Sequence, residues 1–148
     1  MIQRIQSVYL LLAAGAFGGQ FGLPYLQTEA TNPATALPVM ADGALTPTDN
    51  FGLLGLTGLS IALSFIAIFL YKNRPLQGKL TALGILTGLL LLILAVIATQ
   101  AVRSTPEGAS VSFGPGWVTP VAGLLLLWLA GRAIRRDEQT VRSMDRLR

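Results

Sequence analysis

The stretch LTALGILTGLLLLILAVIATQAV, residues 80–102, decides the fold. It runs for 23 residues without a charge, and Leu89 to Leu94 is an unbroken aliphatic run. About 20 such residues, wound as an α-helix, cross the hydrocarbon of a bilayer. In that solvent an unpaired backbone N–H or C=O is costly. A helix closes its backbone bonds within the segment and is the conformation the stretch demands.

Three further stretches read the same way. Residues 51–71 are 21 positions without a charge. Residues 5–26 are also uncharged, with Gln6 and Gln20 as the most polar members. Residues 117–134 are the weakest, because Arg132 interrupts them. A long arginine stem can lie along the apolar zone while its guanidinium reaches the headgroups. The pattern predicts an all-α chain: one membrane domain over 1–148, built as a four-helix transmembrane bundle with a helical tail over 135–148. Arg4, the apolar run and Ala14-Gly15-Ala16 also fit a secretory signal with a small-residue cleavage site. The apolar character that continues through Phe17 to Leu26 favours a retained span.

Composition agrees. Of 148 residues, 52% are apolar and 12% charged, and the mean hydropathy is +0.60. A water-facing domain carries about 25% charged residues, so a soluble globular fold is excluded. The chain has no His and no Cys. That removes His-ligated haem, thiolate-held clusters, Cys/His zinc sites, disulfides and Ser–His–Asp or Cys nucleophiles. No metal, no cofactor and no catalytic set is expected.

The net charge of +4 would raise nucleic acid as a partner of a soluble protein; here topology accounts for it. Four spans place both termini and the 72–79 loop on one side. That side carries Arg4, Lys72, Arg74, Lys79, Arg132, Arg135, Arg136, Arg142, Arg146 and Arg148, ten of the eleven basic residues. The other side carries Arg103 and four of the seven acids, Glu29, Asp42, Asp49 and Glu107. Basic residues stay on the cytoplasmic side of an inner membrane, so both termini are expected there.

The first outer loop, 27–50, holds Asp42-Gly43, a hairpin-turn signal, between 39–41 and 44–46. The second holds Ser110 to Phe113 in period-two alternation. Short strands are expected in both, paired as an outer cap, with two irregular loops as the alternative. Asp49-Asn50 can cap the second helix, and Thr119-Pro120 reads as the cap and first position of the fourth. Tyr25, Phe51 and Trp117 fall near the outer interface, Tyr71 and Trp128 near the inner one, as an aromatic belt.

Helices in lipid touch where residues are small. Gly15 and Gly19, Gly18 and Gly22, and Gly84 and Gly88 are spaced four apart, and the second span adds Gly52, Gly55 and Gly58. They serve packing within one bundle, or one face, above all on the first span, docks a partner subunit. No charged residue lies at mid-depth, so an ion or proton path is not evident.

The tail, 132–148, holds six Arg and three acids, and reads as a helical continuation of the fourth span. Pairs such as Glu138 with Arg142 have the favourable spacing. Arg4, Arg132, Arg135, Arg136, Arg142 and Arg146 are candidates for lipid-headgroup contact or partner docking, or they only fix topology. The interspersed acids and the lack of stacking aromatics argue against nucleic acid.

Residues 1–13, MIQRIQSVYLLLA, and 132–148, RAIRRDEQTVRSMDRLR, together resemble the two ends of a bacterial family of small four-span membrane proteins catalogued as a domain of unknown function. The resemblance implies a four-span, full-length chain and brings no activity or cofactor. The leading expectation is a non-catalytic accessory, assembly or stabilising subunit beside larger membrane proteins. The alternative is a small homo-oligomeric transporter or channel, lined by Thr57, Ser60, Ser64 or Gln20, or a lipid-handling protein. A membrane enzyme ranks last, because Asp137, Glu138 and Asp145 are spaced for salt bridges with their arginine neighbours.

Overall fold

The structure is a computed structural model and describes residues 3–29 and 31–145. Four helices dominate it: α1 (Gln3–Gly18), α2 (Phe51–Phe69), α3 (Arg74–Arg103) and α4 (Val118–Asp145). Each packs on its chain neighbours, and α1 closes the ring against α4, while the diagonal pairs keep their backbones apart. The 3₁₀ turn Leu70–Lys72 joins α2 to α3, and the chain runs up-down-up-down. Three helical segments are long and apolar enough to cross a membrane, Phe51–Lys72, Arg74–Arg103 and Pro115–Val141; the first, Ile5–Phe21, is shorter.

The helix ends follow local chemistry. The Asn50 side chain accepts from the backbone N–H groups of Gly52 and Leu53 and starts α2. Asp49, read as its partner in that cap, instead closes a capping box with Thr46 one turn earlier. Asn73 starts α3 six residues ahead of the expected 80, with Pro75 in the first turn. Thr119 does not cap α4: the helix is already under way at Val118, and the Thr119 hydroxyl donates back to Gly116 O at 2.7 Å.

The expected first span, 5–26, is divided. The α-helix ends at Gly18, a 3₁₀ turn covers Gly19–Phe21, and Leu26 is already a strand. Two adjacent glycines weaken the helix, and Pro24 pushes the residue before it to extended backbone.

The cap forms, with a different pairing from the one expected. Strands β1 (Leu26–Gln27), β2 (Ala44–Leu45) and β3 (Ser112–Phe113) make an antiparallel sheet in the order β2-β1-β3. Asp42-Gly43 turns the chain without making a hairpin, because Pro38–Met40 is a 3₁₀ turn and β2 pairs with β1. Gly43 has φ +76°, where a side chain would be strained, and its carbonyl accepts from Thr28 N at 2.8 Å. Gly116 donates to Pro24 O at 2.9 Å. A Cβ there would collide with the Leu23 and Pro24 carbonyls. Tyr25, expected in an exposed belt, is fully buried under the cap, its ring edge-on to Trp117 at 5.3 Å. Its hydroxyl donates to Gln20 Oε1.

One close contact joins three helices. Phe17 of α1 is fully buried between glycines of α3 and α4. A Cβ on Gly88 would lie 3.1 Å from its Cζ, and one on Gly123 2.8 Å from the same atom. Small residues here let helices approach to where dispersion contacts form, which in lipid replaces hydrophobic attraction.

Candidate functional site

One end of the bundle gathers the start of α1, the α2–α3 turn and the second half of α4. Its opposite end bears the cap. Lys72, Arg74, Lys79, Arg132, Arg135 and Arg136 all belong to the first, basic end, and Arg4 lies in the opening turn of α1. Arg103 is at the capped end, its guanidinium 4.4 Å from the centre of the Phe113 ring. Arg142 continues α4 beyond the bundle. Arg146 lies outside the described residues, as do the side chains of Arg4 and Arg142.

Depth can be worked out from the packing. Gly88 is at the midpoint of α3, and Leu124 Cδ2 lies 2.9 Å from where its Cβ would be. Counting from Leu124 at 1.5 Å per residue, Arg132 lies about 12 Å and Arg136 about 18 Å along α4. Half the hydrocarbon thickness is about 15 Å. With the Gly88–Leu124 contact at the midplane of a bilayer, the two arginines, one turn apart on one face, would bracket the boundary.

They line a groove of about 280 Å³ between α1 and α4, with Ile5, Tyr9, Leu129 and Ala133. No carboxylate is among its described lining residues. Arg132 lies 5.8 Å from the Trp128 ring centre, within cation–π range. A second groove, about 430 Å³, runs between α3 and α4 and brings Lys79 and Arg135 together with Glu138. Arg135 Nε donates to Gly131 O at 3.3 Å in its own helix. Beside it Arg74 reaches Asp137 at 3.3 Å and ties α3 to α4.

The candidate glycines separate into two groups. Gly84 and Gly88 are inside the bundle, Gly84 against Leu127 at 3.3 Å from its Cβ position. Gly15 and Gly18 point into open space, with nothing within 4 Å, and so do Gly55 and Gly58 of α2. Gly19 faces the Thr119 methyl at 3.5 Å, and Gly22 lies past the end of α1. The structure therefore does not bring the six together as one face.

The residues expected to line a pore between copies are turned inward instead. Thr57, Ser60, Ser64 and Gln20 are all at most 1% exposed. Ser60 donates to Thr87 across the α2–α3 contact at 3.1 Å, and Ser64 donates to Ser60 O at 2.7 Å. The first of these ties α2 to α3, as polar side chains do between membrane helices; the second stays within α2.

Sequence reading missed Gly123, Tyr9 and Gln77. Gly123 has a small residue four positions earlier, Thr119, but no glycine or serine there. Gln77 Nε2 donates to Ala67 O at 2.9 Å and binds the start of α3 to the end of α2; a lone Gln before an apolar run carries no such signal.

No curated protein and no solved structure matches the chain. Residues 2–147, nearly the whole chain and including both of its terminal motifs, match one family, so the chain belongs to the family described as Domain of unknown function (DUF4293).

Proposed function

We propose that this chain is a non-catalytic integral membrane protein of the bacterial inner membrane. In this reading all four helices cross the bilayer and both termini face the cytoplasm. It acts as an accessory, assembly or stabilising subunit packed beside larger membrane proteins. The observation that carries the reading is the division of the glycines. Gly84, Gly88 and Gly123 meet side chains inside the bundle, whereas Gly15, Gly18, Gly55 and Gly58 of α1 and α2 leave open space outside it. Outward small residues allow another helix to approach closely, and α1 and α2 are adjacent.

The lopsided charge supports the orientation. The outward aliphatic side chains of α3, among them Leu86, Ile93 and Ile97, suit a lipid environment. The first helix can still cross. Its 16 residues give about 24 Å at 1.5 Å each, and the 3₁₀ turn adds about 6 Å.

The test is the native mass after mild detergent extraction, with identification of co-purifying chains. A heavier assembly that is lost on Gly55→Leu with Gly58→Leu is the expected result. A monodisperse particle carrying 15.7 kDa of protein refutes the subunit reading.

A further inference from the structure

We infer that the α1–α4 groove at the basic end is a binding site for the phosphodiester headgroup of one anionic phospholipid. Three observations converge on it. The first is charge. Among the described residues Arg132 and Arg136 line the groove without a carboxylate, whereas the α3–α4 groove beside it includes Glu138. A guanidinium pair is suited to phosphate because its planar N–H groups engage two oxygens at once.

The second is depth. The two arginines bracket the hydrocarbon boundary, about 12 and 18 Å from the midplane by the helical rise, which is where a lipid phosphate resides. An arginine at this level can reach the interface without crossing the core. The third is the shape of the wall. The wall beside the arginines is apolar, with Ala133 between them along α4, Leu129 nearly one turn below Arg132 and Ile5 facing from α1, where Tyr9 also offers a hydroxyl. A cationic pair set along an aliphatic wall matches a headgroup and the first carbons of its acyl chains. Basic pockets between membrane helices on the cytoplasmic side hold anionic headgroups in this manner.

The inference rests on the membrane placement proposed above and not on the subunit role. Native mass spectrometry separates the two, since a lipid and a protein partner add different masses. The protein is extracted in neutral detergent and offered phosphatidylglycerol, phosphatidylcholine or inorganic phosphate. One phosphatidylglycerol should be retained in preference to phosphatidylcholine. Arg132→Gln or Arg136→Gln should weaken retention about five-fold, and both together about thirty-fold, at roughly one juxtamembrane charge's worth each. Lys79→Gln with Arg135→Gln should leave it within about two-fold if the field is local. Ala133→Phe, which fills the groove with both arginines in place, should also lower retention.

Equal loss from the two arginine–lysine sets would mean a diffuse field and overturn the site. So would equal retention of phosphatidylcholine, unchanged retention in Ala133→Phe, or displacement by millimolar inorganic phosphate, which would make the ligand a free anion.

Discussion

Gly123→Ala adds one methyl where α4 packs closely on Phe17 of α1. The new Cβ would lie 2.8, 2.9 and 3.0 Å from Cζ, Cε2 and Cε1 of Phe17, where carbon atoms rest comfortably at about 3.5–4.0 Å. The ring cannot retreat far, since Gly88 of α3 lies against its Cζ. Overpacking of this kind costs about 1–3 kcal/mol. Against it, Ala is better than Gly in a helix by about 1 kcal/mol, which leaves a net loss of up to about 2 kcal/mol. Gly15→Ala is the matched control, because nothing lies within 4 Å of its Cβ position. It should be neutral or stabilising by up to about 1 kcal/mol. The same chemical change thus acquires opposite signs at two positions. Removing the ring should abolish the difference. In a Phe17→Ala background Gly123→Ala should cost nothing, a coupling of about 1–3 kcal/mol. The assay is unfolding in mixed micelles titrated with a denaturing detergent, read by tryptophan fluorescence. Additive effects of the two substitutions, or equal stability of Gly123→Ala and Gly15→Ala, would refute the clamp.

Asp137→Asn should lower stability by up to about 1 kcal/mol, as for a partly exposed ion pair, because it unties Arg74 from α4; concentrated salt should shrink the gap from the unmodified protein. Burial pushes the Tyr25 hydroxyl above its usual range, so the folded chain keeps that proton longer than the unfolded one. The stability it contributes is whole below about pH 10, the unfolded value, and is lost as pH rises beyond it. Melting curves from neutral to alkaline pH should therefore fall less steeply for Tyr25→Phe, which at neutral pH gives up about 1 kcal/mol with the bond to Gln20. Gln77→Leu removes the bond to Ala67 O and should cost about 0.6 kcal/mol, the average for such bonds in a membrane bundle, measured by the same titration.

The helices were legible because the signal that defines them is local. An uncharged apolar run long enough to span a bilayer needs no partner to be read, and α2 and α3 fall where their runs lie. Where α1 ends was harder: hydropathy continues to Leu26, but backbone preference at Gly18, Gly19 and Pro24 prevails over it. The cap illustrates the opposite limit. Its strands are two residues each, and their pairing joins segments far apart in sequence, so Asp42-Gly43 suggested the nearest partner and not the one used. Spacing by four locates a face on a helix without saying what the face meets, which is why Gly15 and Gly88 looked alike. At the basic end Arg132 and Arg136 were readable from charge alone as candidates for headgroup contact or partner docking. Tyr9 was not, because it joins them only once α1 is seated against α4.

The sheet order also has a consequence for how the chain matures. Synthesis delivers β1 and β2 early, but β3 follows only after α2 and α3 have been made. A pair of two-residue strands is too small to persist alone. The middle strand, β1, therefore waits for the loop that precedes α4. The cap closes only once α2 and α3 have been made, and its closure reports that the chain has reached the start of α4.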